Sequence, residues 1–182
     1  VGGFDEAEAA VGELVEDPAR REELLLALGR RFDDAARREV GAAGEDLVVA
    51  HARAELASLG YPDLARNVRR VSLVSDQLGY DVAAPRVSGG DRLLEVKATT
   101  GNRGEIFLSR NEATVGLRLK DWALVVCAVD DVDARTGSVL GWCRGTDLRP
   151  LLPTDAPGGS WQSVAIELDR LPLQAGLPRP AS

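Results

Sequence analysis

The rhythm of apolar and polar positions changes along the chain, and each change marks an expected element. Residues 1–40 read as helical: an Ala- and Glu-rich run from Phe4 to Glu16, then "DPARREELLLALG", then a charged piece from Arg30 to Val40. In the second of these Asp17 suits an N-cap, Pro18 the first helical position and Gly29 a stop. "GEDLVVAHARAELASLGY" places Val48, Ala52, Leu56 and Leu59 on one stripe, which Leu47, Ala50, Ala54 and Ala57 broaden. That spacing predicts an amphipathic helix ending at Gly60, with Glu45 at the N-terminal end of the core-facing stripe.

Beyond Tyr61 the period shortens towards two. Strands are expected at Val68 to Val74, Tyr80 to Pro85, Arg92 to Thr99 and Glu105 to Ser109, and "VSGGD" reads as a hairpin turn. "SRNEATVGLRLKD" predicts a helix opened by a capping box of Ser109 and Glu112. The Val-rich "WALVVCAV" predicts a central strand, "GSVLGWCRG" its neighbour across the acidic turn "DDVDARTG", and "WQSVAIEL" a last strand. The chain after Pro150 is rich in Pro and Gly, and residues 171–182 read as a disordered tail. The expected fold is α/β: a central mixed β-sheet flanked by helices, with an N-terminal helical appendage or linker over residues 1–40.

Charge inside two of these strands raises the functional question. In Arg92 to Thr99 the side chains of Leu94, Val96 and Ala98 fall on one face, and those of Leu93, Glu95 and Lys97 on the other. A hairpin with the preceding strand brings Asp81 towards Glu95 on that face. Two carboxylates brought together repel, and a hard divalent cation between them relieves the repulsion. Lys97 beside them can orient a water, help deprotonate it, or stabilise charge on a phosphate. An ordinary salt bridge accounts for a bare Glu-x-Lys. The apolar flanks of "LLEVKA" and the second carboxylate at Asp81 favour a built site, because buried ion pairs are costly.

The remaining chemistry is sparse. The 182 residues hold one His, two Cys and no Met. His51 falls on a different helix face from Glu45 and reads as structural. Cys127 and Cys143 lie in apolar strands without zinc-ligand spacing and read as buried reduced thiols. Trp122, Trp142 and Trp161 read as packing residues. The lack of Met makes Val1 an unexpected native start, so the chain reads as processed or as a domain cut from a longer protein. No apolar run is long enough to span a bilayer, and no P-loop, G-x-S-x-G or dinucleotide fingerprint is present. The net charge of −7 means that binding to nucleic acid needs a local basic patch, a metal ion or a partner domain. Arg66, Arg69, Arg70, Arg86, Arg110, Arg118 and Lys120 are the candidates for such a patch.

The order of a helix with Glu45, then Asp81, then Glu95-x-Lys97 resembles the PD-(D/E)XK nuclease superfamily with its restriction-endonuclease-like core. More narrowly, "GED", "GYDV", "LLEVKATTG" and "FLSRNE" resemble the NO VEIN C-terminal domain family, over roughly Gly44 to Val129. The resemblance implies a nuclease-like domain over residues 41–170. Asp81 and Glu95 would be metal ligands, Lys97 the catalytic lysine, and Glu45 the helix carboxylate completing the acidic cluster. Tyr80 stands where the superfamily has Pro. The implied cofactor is Mg²⁺ or Mn²⁺, the substrate nucleic acid with DNA expected, and the products a 5′-phosphate and a 3′-hydroxyl. Thr99, Arg103 and Asn111 are candidate substrate contacts, though a turn and the capping box also account for their neighbourhood. The resemblance further implies a bacterial cytoplasmic protein with a fused helicase, ATPase or recognition domain, as in a defence, restriction or repair assembly. A homodimer would help cut both strands of a duplex. The alternative is a catalytically silent module of the same fold that binds nucleic acid or protein.

Overall fold

The computed structural model describes residues 3, 5–9, 18–71 and 78–180. Asp17, Phe4 and the Ser72–Val74 part of the expected first strand lie outside the described residues. The chain divides into two units, Val1–Glu39 and Val40–Ser182. In the first, residues 5–9 are helical and helix α1 (Pro18–Ser58) begins. The second contains the rest of α1 and, among the described residues, all the strands.

Gly29, expected as a stop, lies inside α1, and so do Gly41 and Gly44. An interior glycine costs about 1 kcal/mol relative to Ala, too little to end a helix by itself. Gly44 has a packing reason to be there: a Cβ at this position would lie 2.5 Å from the Ala98 Cβ. The helix therefore comes close to the sheet where Glu45 begins its buried stripe.

After the short helix α2 (Pro62–Arg66) come β1 (Arg69–Arg70), β2 (Val82–Pro85), β3 (Asp91–Thr99), β4 (Glu105–Ser109), α3 (Arg110–Arg118), β5 (Trp122–Asp131), β6 (Thr136–Arg144) and β7 (Ser163–Glu167). Two 3₁₀ turns, Gly145–Leu151 and Leu168–Arg170, flank β7. The main sheet has the order β1-β2-β3-β5-β6. Its β2–β3 hairpin pairs Val82 with Leu94, and β3 runs parallel to β5 with Glu95 opposite Leu124 and Lys97 opposite Val126. A parallel pair needs a long crossover, which β4 and α3 supply. The capping box of Ser109 and Glu112 is present at the start of α3.

Two expectations are corrected. The strands do not form one sheet, since β4 and β7 pair separately. Gly104, at φ +109, turns the chain away after β3, and its carbonyl accepts the Leu168 N–H at 3.0 Å, tying β7 to β4. The expected disordered tail is also docked up to Pro180. Trp142 and Gln174 exchange backbone hydrogen bonds, the Pro180 carbonyl accepts the Val87 N–H, and Leu177 is buried. Arg92, fully buried, donates to Glu55 Oε2 at 2.7 Å and to the Pro178 carbonyl.

The main sheet is packed on both faces. Val48, Ala52 and Leu56 of α1 cover Leu94, Val96, Val125 and Cys127. Leu108, Val115, Ile166 and Leu148 cover Trp122, Leu124 and Val126 on the other. Each fully buried Leu or Val contributes roughly 1.5–3 kcal/mol, so β5 between these layers anchors the fold. Glu95 and Lys97 share the face of Leu124 and Val126, towards α3.

Candidate functional site

Asp81 stands in the bend just before β2, where its backbone is held from both sides. Its N–H donates to the Leu94 carbonyl at 2.9 Å and its carbonyl accepts the Val71 N–H at 2.7 Å. The Trp122 indole N–H donates to the Gly79 carbonyl at 2.7 Å, fixing the loop just before it. Since Val82 pairs with Leu94, one further step of the same register sets Asp81 opposite Glu95. Asp81 Oδ2 accepts the Val96 N–H at 2.8 Å, a donor left over where β2 has not yet begun.

Glu95 is almost wholly buried, at 2% exposure. Its Oε1 lies 2.7 Å from Lys97 Nζ, and the same ammonium lies 3.0 Å from Glu112 Oε2. Glu112 Oε2 also accepts the Ser109 N–H at 2.8 Å. Glu112 thus serves both the capping box and the lysine, and only the first of these roles was apparent from the sequence. The signal for the second was positional: "LSRNE" opens the helix that returns over β3 in the crossover to β5.

The cluster therefore holds three carboxylates, Asp81, Glu95 and Glu112, around one ammonium. Burial pushes the Asp81 carboxyl up to about 6, opposed by the Val96 hydrogen bond and aided by Glu45. Burial pushes Glu95 up to about 8, against the pull of Lys97 and with help from Asp81 and Glu112. Burial draws the Lys97 pKa down, but Glu95 and Glu112 more than offset this and hold it above the ordinary value. The ammonium stays charged, while Asp81 and Glu95 both hold a proton more tightly than an ordinary carboxyl.

Glu45 acts on Asp81 through its charge, and its own carboxylate is held elsewhere. Glu45 Oε2 lies 2.9 Å from Arg70 Nη2, and Arg70 Nη1 lies 3.0 Å from Asp46 Oδ1. Arg135 also pairs with Asp46. Asn111 is exposed beside the Asp81 loop, its Nδ2 being 3.4 Å from where a Gly79 Cβ would stand. The Thr99 hydroxyl donates to the Gly101 and Cys127 carbonyls, a turn-stabilising role. Arg103 is exposed on the β3–β4 turn and lines a different hollow, with Glu105, Glu167 and Asp169. The structure thus gathers Asp81, Glu95 and Lys97 and sets Glu45 and Asn111 beside them; Thr99 follows Lys97 on the same face of β3 with its hydroxyl bonded to backbone carbonyls, and Arg103 lies on the β3–β4 turn.

The candidate basic patch also divides. Arg66 pairs with Asp63, Arg69 with Asp91, and Arg110 with Asp155. Arg86, Arg118 and Lys120 line a cleft at the start of β5. His51 is exposed on α1. Cys127 and Cys143 are free and buried, and burial pushes both thiols up to about 12. Among the described residues no three His, Cys, Asp or Glu side chains are grouped to hold a metal ion, and no helix is long and apolar enough to cross a membrane.

Residues 44–136, just over half of the 182, match the family described as Protein NO VEIN, C-terminal. The chain belongs to this family. Nothing among curated proteins or solved structures matches it. The NO VEIN C-terminal match spans Glu45, Arg70, Asp81, Glu95, Lys97 and Glu112, so the whole cluster lies inside it. It ends at Thr136, before the 3₁₀ turns, β7 and the docked tail.

Proposed function

We propose that the cluster is the centre of a metal-dependent nuclease of the PD-(D/E)XK type, on a restriction-endonuclease-like core, acting on phosphodiester bonds with DNA as the expected substrate. One observation carries the reading: the register of the β2–β3 hairpin sets half-buried Asp81 opposite buried Glu95, with the Lys97 ammonium 2.7 Å from the Glu95 carboxylate. Mg²⁺ commonly takes one or two carboxylates and completes its shell with water and substrate phosphate. Asp81 and Glu95 suit that donor set, and a cation would remove the repulsion that helps hold their protons. A bound Mg²⁺ or Mn²⁺ would polarise the scissile phosphate and lower the pKa of an attacking water.

Asp81, with one oxygen tied to Val96, would present the other as a fixed ligand. Glu95 would release its proton as the cation enters. Lys97 suits charge stabilisation and water orientation rather than proton abstraction, because Glu95 and Glu112 keep it protonated. Glu112 is a positioning residue that steadies Lys97. Glu45 adjusts the Asp81 charge from α1 and would reach a cation only through water or after leaving Arg70. The nuclease would work as part of a larger defence, restriction or repair protein.

The second reading, a silent binding module of this fold, draws on the same geometry. Lys97 is already shared by two carboxylates and Glu45 is already paired with Arg70, so the charges are satisfied without a ligand. Incubation with plasmid DNA, single-stranded DNA and RNA in Mg²⁺ or Mn²⁺, beside an EDTA control, separates the two. Cleavage that Asp81→Ala and Lys97→Ala both abolish supports the nuclease. No cleavage with either metal, and no metal bound, favours the silent module.

A further inference from the structure

A second charged feature lies on the same sheet, away from the carboxylate cluster. A cleft of about 660 Å³ opens where β5 begins, lined by Arg86, Arg118, Lys120, Arg144 and Arg179 against a single carboxylate, Asp121. In the whole chain acidic residues outnumber Lys and Arg by 29 to 22, so this five-to-one reversal is a local concentration of positive charge. Asp121 is already committed to Arg86 at 2.9 Å. Arg118 and Lys120 are exposed and make no ion pair among the described residues. Asp147, which accepts the Arg144 backbone N–H at 3.1 Å, is not part of the lining. A cation in the last turn of α3 complements the helix dipole, which explains Arg118 alone and not its companions.

The cleft is built, and it has an aromatic wall. Gly116 of α3 and Gly145 of the 3₁₀ turn meet at its floor, where a Gly145 Cβ would stand 2.1 Å from the Gly116 carbonyl oxygen. Trp142, half-buried and backbone-paired with Gln174, lines one side. Cationic side chains beside an aromatic ring suit a phosphate joined to a planar base. The volume lies within the range of small-ligand pockets.

We propose that this cleft binds a nucleotide unit, its phosphate against Arg118, Lys120 and Arg144 and its base towards Trp142. The unit belongs either to a nucleic-acid strand or to a free nucleoside triphosphate. Leu93 pairs with Trp122 at the cleft level and Glu95 with Leu124 at the cluster level. The two-residue offset corresponds to about 7 Å along the strand. The lining of the cleft includes none of Asp81, Glu95, Lys97 and Glu112, so the proposal does not depend on the nuclease reading.

The test uses the full chain in EDTA, so that no metal-dependent cleavage removes the probe. Fluorescence anisotropy follows a short labelled single strand of DNA, and a labelled ATP analogue in a second arm. The reversal variant is Arg118→Glu/Lys120→Glu/Arg144→Glu, with its fold checked by thermal melting. Arg118→Gln/Lys120→Gln at exposed positions replaces it if the triple variant does not fold. The expected result is binding of at least one probe, weakened about tenfold or more by either variant and with a shallower salt dependence. Binding of the strand alone assigns a nucleic acid, and binding of the ATP analogue assigns a free nucleotide. Binding unchanged by the variants, or no binding of either probe, overturns the proposal. So does binding lost in Lys97→Ala but kept in the reversal variant, since that assigns it to the cluster.

Discussion

The carboxylate cluster and the basic cleft share one sheet, yet their charges are handled in opposite ways. Around Lys97 stand Asp81 and Glu95, with Glu112 reaching in from α3; Glu95 is nearly sealed from water, and burial raises both Asp81 and Glu95. Around Arg118 and Lys120 the cations are exposed to solvent. The first arrangement is costly for folding and gives a pre-placed, desolvated set of groups. The second costs little and gives a surface that acts mainly through long-range attraction. The net charge of −7 conceals this division, which depends on where each side chain stands in the fold.

The comparison is broken most strongly at Lys97. Lys97→Ala is expected to lower metal-dependent cleavage by about 10²–10³-fold, the scale of losing one fixed charge-stabilising group. Steady-state cleavage at saturating Mg²⁺ measures it, and strand binding in EDTA should be unchanged.

The pH dependence separates the two regions next. Asp81 is raised from 3.8 to about 6 and Glu95 from 4.5 to about 8. A raised carboxyl holds its proton in the folded state after the unfolded chain has lost it, so its stabilising contribution is complete below the unfolded pKa. That contribution is lost as pH rises through the folded pKa. Without metal the protein should therefore lose roughly a few kcal/mol between pH 5 and pH 8 relative to Glu95→Gln, as measured by urea unfolding. Millimolar Mg²⁺ should flatten that slope.

Two smaller changes sharpen the account. Gly44→Ala sets a Cβ against Ala98 where α1 meets β3, and is expected to cost about 1–3 kcal/mol of stability by overpacking. Glu112→Gln keeps a capping-box acceptor at the start of α3 but removes a charge from Lys97. Its stability should stay within about 1 kcal/mol of the parent, while cleavage falls and its pH profile shifts. A merely structural Glu112 would leave that profile in place.

Local rules carried the sequence reading as far as the strands themselves. Period-two alternation assigned Glu95 and Lys97 to one face, and the "VSGGD" turn pointed to the hairpin that sets Asp81 opposite Glu95. Both depend on neighbours only a few residues apart. What escaped depends on tertiary contact. Gly44 resembled a helix start because its reason, the Ala98 methyl, lies on a strand fifty residues later. The tail resembled disorder because Leu177 and the Pro178 carbonyl are anchored by β3 and α1 partners that no local pattern reveals. Glu112 has a complete local explanation in its cap, while its second partner, Lys97, stands on a different element. The separate β4–β7 sheet escaped for a similar reason, since β4 and β7 lie far apart in the chain.

The central claim is that Asp81 and Glu95 form a cation site that holds a proton when empty. Calorimetric titration of Mn²⁺ at pH 7, repeated in buffers of different ionisation enthalpy, tests it directly. The account expects Mn²⁺ to bind with release of protons, and expects both the binding and the release to disappear in Asp81→Ala. Absence of Mn²⁺ binding, or binding that Asp81→Ala leaves unchanged, would contradict it.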